Sequence, residues 1–354
     1  MHGEHIVFVG AGAVGGYVGG HLARAGCDVT LIDPWPEHID CIQRDGLHLE
    51  GTQGDHRVRI AALHITEAQS LIHRPVDVAF ICTKLYDTEW AAALIKPYLA
   101  SRGYAITMQN GLVEQRVAGI IGWGRTLGCI ASTISVEAVA PGRIVRTQLP
   151  GGDAYTVFRV GELHGEVTAR AEHVAQLLRA VDSAKVTTNL WGERWSKLVA
   201  NTMSTGTCGV TGLNLTAIVL DQRARRVQIR LAAEAIRVGE ALGFKLVAIR
   251  GLIPEKWVTA AGDRATLGEV EGYMLEGARL RPESGCSSTA QDIAKGRRTE
   301  VDFMNGYIAT RGAETGIATP THATMAALIR QVERGEIAQT RDNLALFSDP
   351  SIPA

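Results

Sequence analysis

Residues 5–16, HIVFVGAGAVGG, contain the most informative pattern in this chain for its fold. Residues 5–9 form an apolar run typical of a buried strand, and apolar residues at 14, 18 and 22 follow at helical spacing. Between them lies a GxGxxG pattern, whose glycines permit a tight turn, close approach of a pyrophosphate and close packing of the helix on the sheet. This order predicts a dinucleotide site with contacts from Gly10, Gly12, Ala13, Val14 and Gly15.

Asp33 ends the next predicted strand, 18 residues after Gly15. A carboxylate at that position accepts hydrogen bonds from the hydroxyl groups of an adenosine ribose. The Pro34-Trp35-Pro36 segment that follows contains no lysine or arginine to bind a 2′-phosphate. We therefore expect Asp33 to bind the cofactor and to favour NAD over NADP.

Strands and helices alternate through the first half of the chain, which predicts a parallel sheet. Pro141-Gly142 lies between two apolar stretches and predicts an antiparallel hairpin on the edge of that sheet. Beyond residue 188 helical periods dominate, in the stretches 193–208, 221–242, 289–294, 299–311 and 321–333. We predict an α/β protein with a dinucleotide-binding domain (1–188), an all-helical domain (189–345) and a frayed tail (346–354).

Composition excludes several classes of protein. The 354 residues are 46% hydrophobic and 21% charged, as in a folded enzyme rather than a disordered chain. A net charge of −1 gives no field for nucleic acid or an anionic membrane, and no apolar run reaches the length of a membrane span. Six separated cysteines without a CxxC pair predict neither a metal site nor a disulfide framework, and with no signal peptide apparent we expect a cytoplasmic protein.

Polar residues follow two more predicted strands. Lys84 comes directly after the apolar run 76–82, and Asn110 lies in Gln109-Asn110-Gly111 after the run 104–108. The carboxyl ends of strands are the ligand-binding edge of an open α/β sheet. For Lys84, a role as a solvated surface residue remains the alternative.

A second group of polar residues lies in the helical half. Lys197, Asn201 and Thr205 are spaced by four, which places an ammonium, an amide and a hydroxyl on one helix face. Ser288 precedes the predicted helix 289–294, and Glu300 lies at the start of the predicted helix 299–311. Taken alone, Ser288 is as well explained as a helix N-cap and Glu300 as a first-turn acid.

Taken together, these motifs resemble the ketopantoate reductase family. The likeness runs from Gly-Ala-Gly-Ala-Val-Gly through Thr83-Lys84 and Gln109-Asn110-Gly111 to Lys197-Leu198 with Asn201, and then to Ser288 with Gln291-Asp292 and Thr299-Glu300 with Asn305-Gly306. It covers nearly the whole chain in order. The resemblance implies a Rossmann domain followed by a helical domain, with a nicotinamide cofactor and a 2-oxo acid meeting in the cleft between them.

The resemblance also implies roles for single residues. Lys197 resembles the family's general acid, and Glu300 an acid near the cofactor and that lysine. Asn201, Thr205 and Ser288 occupy substrate-binding positions, whereas Lys84, Asn110 and Ala138 occupy positions near the cofactor. We expect a small 2-oxo or 2-hydroxy acid as the partner, with no metal, nucleic acid or membrane, and leave a homodimer open.

Three positions depart from the family pattern. No basic residue follows Asp33, Thr205 stands where a second asparagine is usual, and Val113 stands where a glycine is common. The first departure questions NADP as cofactor, and the second questions ketopantoate as substrate. An NAD-linked catabolic dehydrogenase for another hydroxy compound, and a dinucleotide sensor without turnover, are the alternatives.

Overall fold

The computed structural model describes residues 3–279 and 287–347. Its contacts divide into two units, Met1–Leu190 and Trp191–Ala354. Among the described residues, no helix has both the length and the apolar character needed to cross a membrane.

The first unit alternates strands and helices. Its strands are β1 (His5–Val9), β2 (Asp28–Asp33), β3 (Leu47–Gly51), β4 (His56–Val58), β5 (Ala61–His64), β6 (Val76–Ile81), β7 (Leu99–Thr107), β8 (Thr126–Ala131), β9 (Val136–Ala140), β10 (Arg143–Arg146), β11 (Phe158–Glu162) and β12 (Ala184–Val186). Its helices are α1 (Ala13–Arg24), α2 (Pro36–Asp45), α3 (Thr88–Ile95), α4 (Glu114–Ile121) and α5 (Ala169–Leu178). Short 3₁₀ segments cover Ile65–His73, Leu85–Asp87, Lys96–Tyr98 and Trp123–Arg125.

The main sheet has the strand order β12-β11-β8-β7-β6-β1-β2-β5. The six strands from β8 to β5 are mutually parallel, and β11 pairs antiparallel with β8. Every residue of β1 is buried, as the apolar run 5–9 predicts for a central strand. The strand order changes direction at β1, so the carboxyl end of β1 is the topological switch point of the sheet. The predicted α/β class with a Rossmann domain is confirmed.

The predicted hairpin forms, but not on the edge of the main sheet. β9 and β10 pair antiparallel around Pro141-Gly142 and join a second sheet of order β4-β3-β10-β9. β10 pairs parallel with β3, which lies far away in the sequence. This long-range pairing carries the hairpin into the second sheet, so its predicted place was wrong.

Helix α1 packs closely on both sheets because one of its faces consists of glycines. A Cβ atom on Gly19 would lie 2.8 Å from the Leu31 side chain of the main sheet. The same atom on Gly16 or Gly20 would lie 2.5 Å or 2.8 Å from Ile144 or Leu47 of the second sheet. The glycines thus let the backbone of α1 approach the side chains of both sheets closely.

The second unit is helical. It contains α6 (Leu190–Thr211), which starts at the last residue of the first unit, then α7 (Ala217–Leu220), α8 (Gln222–Ala241), α9 (Pro254–Ala260), α10 (Arg264–Arg279), α11 (Ser288–Ala294), α12 (Asn305–Thr315) and α13 (Pro320–Glu333), with 3₁₀ segments Val301–Phe303 and Arg341–Phe347. Its strand-free character confirms the predicted all-helical class within the described residues.

One local prediction in this unit was wrong, and the predicted tail is described only at its first two residues. The helix expected over 299–311 is interrupted at Met304, whose φ of −115° and ψ of −99° separate the 3₁₀ segment Val301–Phe303 from α12. Thr299, before that segment, is held by Glu333 of α13 through both its N–H, at 3.1 Å, and its hydroxyl, at 2.9 Å. The tail expected to fray from residue 346 begins inside a 3₁₀ segment. Its Phe347 is buried, and the carbonyl of Phe347 accepts a hydrogen bond of 3.0 Å from Arg230. Residues 348–354 of that tail lie outside the described residues.

Candidate functional site

The turn after β1 can be formed only with glycine at its first position. Gly10 has φ +100°, and a Cβ atom there would lie 2.7 Å from the backbone carbon of Cys82. Its N–H donates to the carbonyl of Ile32 at 2.8 Å, which ties the turn to β2. Gly10 is therefore explained by the fold itself.

Gly12 differs, because the fold does not require it. A Cβ atom at Gly12 would meet no heavy atom of the described residues within 4 Å. Gly12 is the N-cap of α1, whose first N–H groups have no acceptor within the helix. The space beside Gly12 and these donors suit the pyrophosphate of a dinucleotide. Ala13, Val14 and Gly15, the first residues of α1, were predicted to contact the same dinucleotide.

The structure brings Asp33 to this turn. One carboxylate oxygen accepts from the Ala11 N–H at 2.8 Å, and the other accepts from the Trp35 N–H at 3.0 Å. Each oxygen keeps a further lone pair for a ribose hydroxyl. Two backbone donors thus fix the orientation of a half-buried acid beside the predicted pyrophosphate site.

His38 also supports this turn, although no sequence pattern indicated it. Its ring is fully buried, its Nδ1 accepts from the Gly142 N–H at 2.9 Å, and its Nε2 bonds the Ala11 carbonyl at 2.9 Å. Because Nδ1 accepts, Nε2 carries the proton in this arrangement. His38 therefore joins the hairpin of the second sheet to the glycine turn, and the Trp35 ring stacks on it with centroids 5.2 Å apart.

Lys84 and Asn110 lie at the same edge of the main sheet as the turn. Cys82 donates to Val9 at 2.8 Å and Met108 donates to Ile81 at 3.0 Å, so the two loops continue adjacent parallel strands. The Gln109 amide donates to the Thr88 hydroxyl at 2.9 Å, and that hydroxyl donates to the Leu85 carbonyl at 2.8 Å. This chain of hydrogen bonds holds the segment next to Lys84 against the segment next to Asn110.

Ala138 lies in β9 of the second sheet. It pairs with Ile144, the residue that contacts Gly16 of α1, and it packs against the core of the first unit. The segment before it, after β8, contains Thr133 and Ser135 at φ 57° and 38°. Left-handed backbone at residues other than glycine is concentrated at functional sites, and no sequence pattern indicated it here.

In the second unit, α6 has a single stripe that is not fully buried over its middle turns. Lys197, Asn201 and Thr205 are half-buried and fall on one face, as predicted, with Ala200 beside them. The opposite face is packed tightly: the Trp195 indole donates to the Ala235 carbonyl of α8 at 2.8 Å. An otherwise buried helix therefore presents a lysine, an amide and a hydroxyl along one line.

Thr205 differs chemically from the asparagine that the family pattern has there. Its hydroxyl donates to the Asn201 carbonyl one turn earlier, at 2.9 Å. The Thr205 carbonyl in turn accepts from the Ser287 hydroxyl at 3.5 Å. With its proton used inside the helix, Thr205 offers a ligand an acceptor rather than a donor.

Ser288 lies at the start of α11, next to this stripe. The N-cap of α11 is Ser287, whose oxygen accepts from the Ala290 N–H, so the N-cap explanation for Ser288 is wrong. Ser288 is exposed at the first helical position, and α11 packs on α6 where a Cβ atom on Gly209 would lie 2.7 Å from Thr289. The structure thus brings Ser288 close to Thr205.

Glu300 lies at the N-cap of the 3₁₀ segment before α12 and is half-buried. Its neighbour Thr299 is fixed to Glu333, as described above. Asn305, at the start of α12, donates to the Thr202 carbonyl of α6 at 3.4 Å and bonds Nδ1 of His322 at 3.2 Å. These bonds fix the backbone on both sides of Glu300 to α6 and α13.

Behind α6 lies a buried polar cluster of structural character. Burial lowers the pKa of His322 to about 4, and its Nε2 bonds the Leu231 carbonyl at 2.9 Å. Burial also raises the pKa of the Glu234 carboxyl, which accepts from the N–H groups of Thr321 and His322 at 2.9 and 3.1 Å. Glu234 thereby caps the amino end of α13.

One surface group among the described residues has the donor set of a metal site. Ligand atoms of His48, Glu50 and Asp55 lie within 4.8 Å of one another. Glu50 is already paired with Arg143, and the Asp55 side chain is largely exposed. The trio is accounted for as a surface ion-pair group.

Comparison with known proteins gives the family. The model of the family "Ketopantoate reductase PanE/ApbA" matches residues 6–158, and the model of the family "Ketopantoate reductase PanE/ApbA C terminal" matches residues 189–333. The chain is 29% identical to the 2-dehydropantoate 2-reductase of Mesorhizobium japonicum, over 93% of this chain and 98% of that relative. It is 28% identical to the enzyme of that name from Halobacterium salinarum, over 93% of this chain and 99% of the relative.

A solved structure agrees with these matches. The PanE/ApbA family ketopantoate reductase of Ralstonia eutropha JMP134 aligns with a TM-score of 0.77 and 27% identity, over 94% of this chain and 99% of that one. The chain therefore belongs to the ketopantoate reductase PanE/ApbA family of oxidoreductases.

Proposed function

We propose that this protein is a nicotinamide-dependent oxidoreductase of the 2-dehydropantoate 2-reductase type, which interconverts a 2-oxo acid and its 2-hydroxy acid. The observation that carries the proposal is the stripe of α6, where Lys197, Asn201 and Thr205 form the half-buried face of a buried helix. The names of the Mesorhizobium and Halobacterium relatives support the same reaction type.

Lys197 acts as the general acid in this proposal. A bound reduced nicotinamide supplies the hydride that the carbonyl carbon of the 2-oxo acid accepts. The Lys197 ammonium donates a hydrogen bond to the carbonyl oxygen, stabilises the negative charge that develops there and then gives up its proton. The product is the 2-hydroxy acid, and Lys197 recovers a proton afterwards.

The other residues of the stripe orient the substrate. The Asn201 amide offers both donor and acceptor groups, and the exposed Ser288 hydroxyl suits the substrate carboxylate. The family resemblance implies that Glu300 lies near the catalytic lysine, and its carboxylate is proposed to balance the charge of the Lys197 ammonium. Orienting groups of this kind raise the rate by holding the carbonyl in a reactive position.

For the cofactor we propose NAD rather than NADP. Asp33 is fixed by two backbone N–H groups, and its negative charge opposes a 2′-phosphate. No lysine or arginine follows in residues 34–37 to compensate. Lys84 and Asn110, on loops at the same edge of the sheet, are proposed to contact the phosphates and the nicotinamide, and Ala138 to add a backbone contact.

The decisive experiment replaces the proposed acid. Lys197→Ala should lower turnover by about 10²–10⁴, the usual contribution of a positioned general acid, while NADH affinity stays unchanged. Lys185→Ala, which changes an exposed lysine on β12, serves as the control. Turnover above about half of the wild-type value in folded Lys197→Ala would refute the assignment, and a wild type that binds NADH but reduces no 2-oxo acid would favour a sensor.

A further inference from the structure

Two side chains hold the peptide groups on either side of Ala11 within the glycine turn. The Ala11 N–H donates to an Asp33 carboxylate oxygen at 2.8 Å, and the Ala11 carbonyl accepts from Nε2 of His38 at 2.9 Å. The helix that follows begins its own hydrogen bonds one residue later, where the Gly12 carbonyl accepts from the Gly16 N–H at 2.8 Å. Asp33 and His38 therefore orient two peptide groups that the hydrogen bonds of α1 do not reach.

Holding the Ala11 carbonyl also fixes the direction of the Gly12 N–H. The two groups belong to one peptide unit, which is planar, and no described peptide bond is cis. The N–H of a trans peptide points opposite to its C=O, so the Gly12 N–H points away from the His38 ring. Over residues 3–279 and 287–347 this N–H has no hydrogen-bond acceptor. His38 thus determines the direction of a donor that is open to a ligand.

The hairpin of the second sheet selects the form of His38 that can act in this way. The His38 ring is fully buried, and its Nδ1 accepts from the Gly142 N–H at 2.9 Å. A neutral imidazole has one donor and one acceptor, so acceptance at Nδ1 places the proton on Nε2. The Trp35 ring stacks on the His38 ring with the two planes 6° apart. Gly142 and Trp35 therefore hold His38 in the tautomer and the orientation that donate to Ala11.

The opposite orientation of the Ala11–Gly12 peptide would disfavour an anion. Without a donor at Nε2 of His38, the Ala11 carbonyl would lose its hydrogen bond, and rotation of the peptide would turn that carbonyl towards the open side. A carbonyl oxygen there would face the oxygens of a phosphate, whereas the Gly12 N–H donates to them. Both ring nitrogens of His38 are satisfied without a ligand, so its role is to orient the turn and not to touch the ligand.

We propose that His38 is a positioning residue of the dinucleotide site, which holds the Ala11 carbonyl and so directs the Gly12 N–H to the pyrophosphate of the cofactor. This inference rests on the proposed function, because it requires a nicotinamide dinucleotide at the glycine turn. The hairpin takes part through Gly142, which connects the second sheet to cofactor binding.

Two substitutions of His38 separate its two hydrogen bonds. In His38→Gln the side-chain amide can still donate to the Ala11 carbonyl, as Nε2 does, but the acceptor for the Gly142 N–H is lost. In His38→Asn the shorter side chain can still accept from the Gly142 N–H, as Nδ1 does, but it does not reach the Ala11 carbonyl. Each variant removes the ring and leaves one buried backbone group without a partner, so we expect similar losses of melting temperature.

The test compares the affinities of these variants for NADH and for ADP-ribose, which keeps the pyrophosphate but has no nicotinamide. His38→Asn should bind both ligands about tenfold or more weakly than His38→Gln, which is the usual contribution of a hydrogen bond to a charged group. His21→Asn is the control, because it removes another buried histidine ring, which packs on Tyr17 more than two helical turns along α1 from Gly12. It should lower the melting temperature and leave both affinities within about twofold of the wild type.

A measurement on the wild type keeps the test independent of how the variants fold. With ¹⁵N-labelled glycine, the Gly12 amide resonance is identified as the one that is missing from Gly12→Ala. ADP-ribose should move the Gly12 proton resonance downfield, as expected for an N–H that donates to a charged oxygen. A Gly12 resonance that ADP-ribose does not move would overturn the inference.

The results separate this inference from the function on which it rests. If the wild type binds NADH and the two His38 variants bind it equally well, His38 does not direct the Gly12 N–H, and the proposed function stands. If the wild type binds neither NADH nor ADP-ribose, the proposed function itself is wrong.

Discussion

Asp33 allows a quantitative prediction about cofactor choice. Like unit charges about 4 Å apart repel by about 4 kcal/mol at an effective dielectric constant of 20. Asp33 is half-buried, and solvent and rearrangement reduce this repulsion. If a quarter remains, about 1 kcal/mol, the wild type should bind NADH about fivefold more tightly than NADPH.

Asp33→Asn removes the charge and nearly keeps the shape. The asparagine oxygen can accept from only one of the two N–H groups, those of Ala11 and Trp35, and the amide nitrogen faces the other. A buried donor without an acceptor costs about 1–3 kcal/mol, so both cofactors should bind less tightly. The ratio of the two dissociation constants cancels this shared loss, and we expect it to fall to within about twofold of unity.

The assay is direct titration of NADH and NADPH, so the result does not depend on which acid is the substrate. Asp45→Asn is the control, because Asp45 is an exposed acid paired with Arg44 at 2.7 Å at the other end of α2. It should leave the ratio unchanged. A wild type that binds NADPH as tightly as NADH, or a ratio that Asp33→Asn does not alter, would refute the proposed role of Asp33.

Three further predictions concern the turn, the substrate and stability. Gly12→Ala should leave the melting temperature nearly unchanged but abolish tight NADH binding. Gly10→Ala should destabilise the apoprotein, because the Cβ atom at position 10 meets backbone atoms and the one at position 12 does not. Thermal unfolding and titration with NADH measure the two effects. Ketopantoate should be a poor substrate, and Thr205→Asn should raise its kcat/KM by about one to two decades by restoring a donor; a wild-type value near 10⁵ M⁻¹s⁻¹ would contradict this. In the folded protein the pKa of His322 is lowered from 6.5 to about 4, so the unfolded chain binds the proton first as the pH is lowered. The free energy of unfolding should therefore decrease as the pH falls from 6.5 to 4, by up to about 3 kcal/mol. The measurement is urea unfolding of the wild type and of His322→Gln across this pH range. The raised pKa of Glu234 acts in the opposite direction, but Glu234 is present in both proteins. Parallel pH profiles of the two proteins would count against the His322 contribution.

The main sheet could be predicted because its strands show their burial directly in the sequence. All five residues of β1 and five of the six residues of β6 are buried, and apart from His5 and Asp77 both strands are apolar. The second sheet could not be predicted in the same way. β3 and β4 are short and only partly buried, and β3 gains its partner β10 from a distant part of the chain. Pairings of this kind depend on tertiary structure, which local patterns do not record.

The candidate site divides along a similar line. Spacing by four was enough to place Lys197, Asn201 and Thr205 on one face, because a helix repeats every 3.6 residues. His38 was missed. It acts through a contact with a residue distant in the sequence, Gly142. Its local sequence resembles an ordinary helix start, so only the fold distinguishes it.

Packing and hydrogen bonding explain some residues of the candidate site but not all of them. Gly10 is required by its backbone angle and by Cys82, and His38 is satisfied at both ring nitrogens, so packing accounts for them. Gly12 lies beside open space, because a Cβ atom there would meet no heavy atom of the described residues within 4 Å. Natural sequences depart from local preference mainly at functional sites. Gly12 is therefore the position of the glycine turn at which a ligand has to be sought, and the pyrophosphate of a dinucleotide suits it.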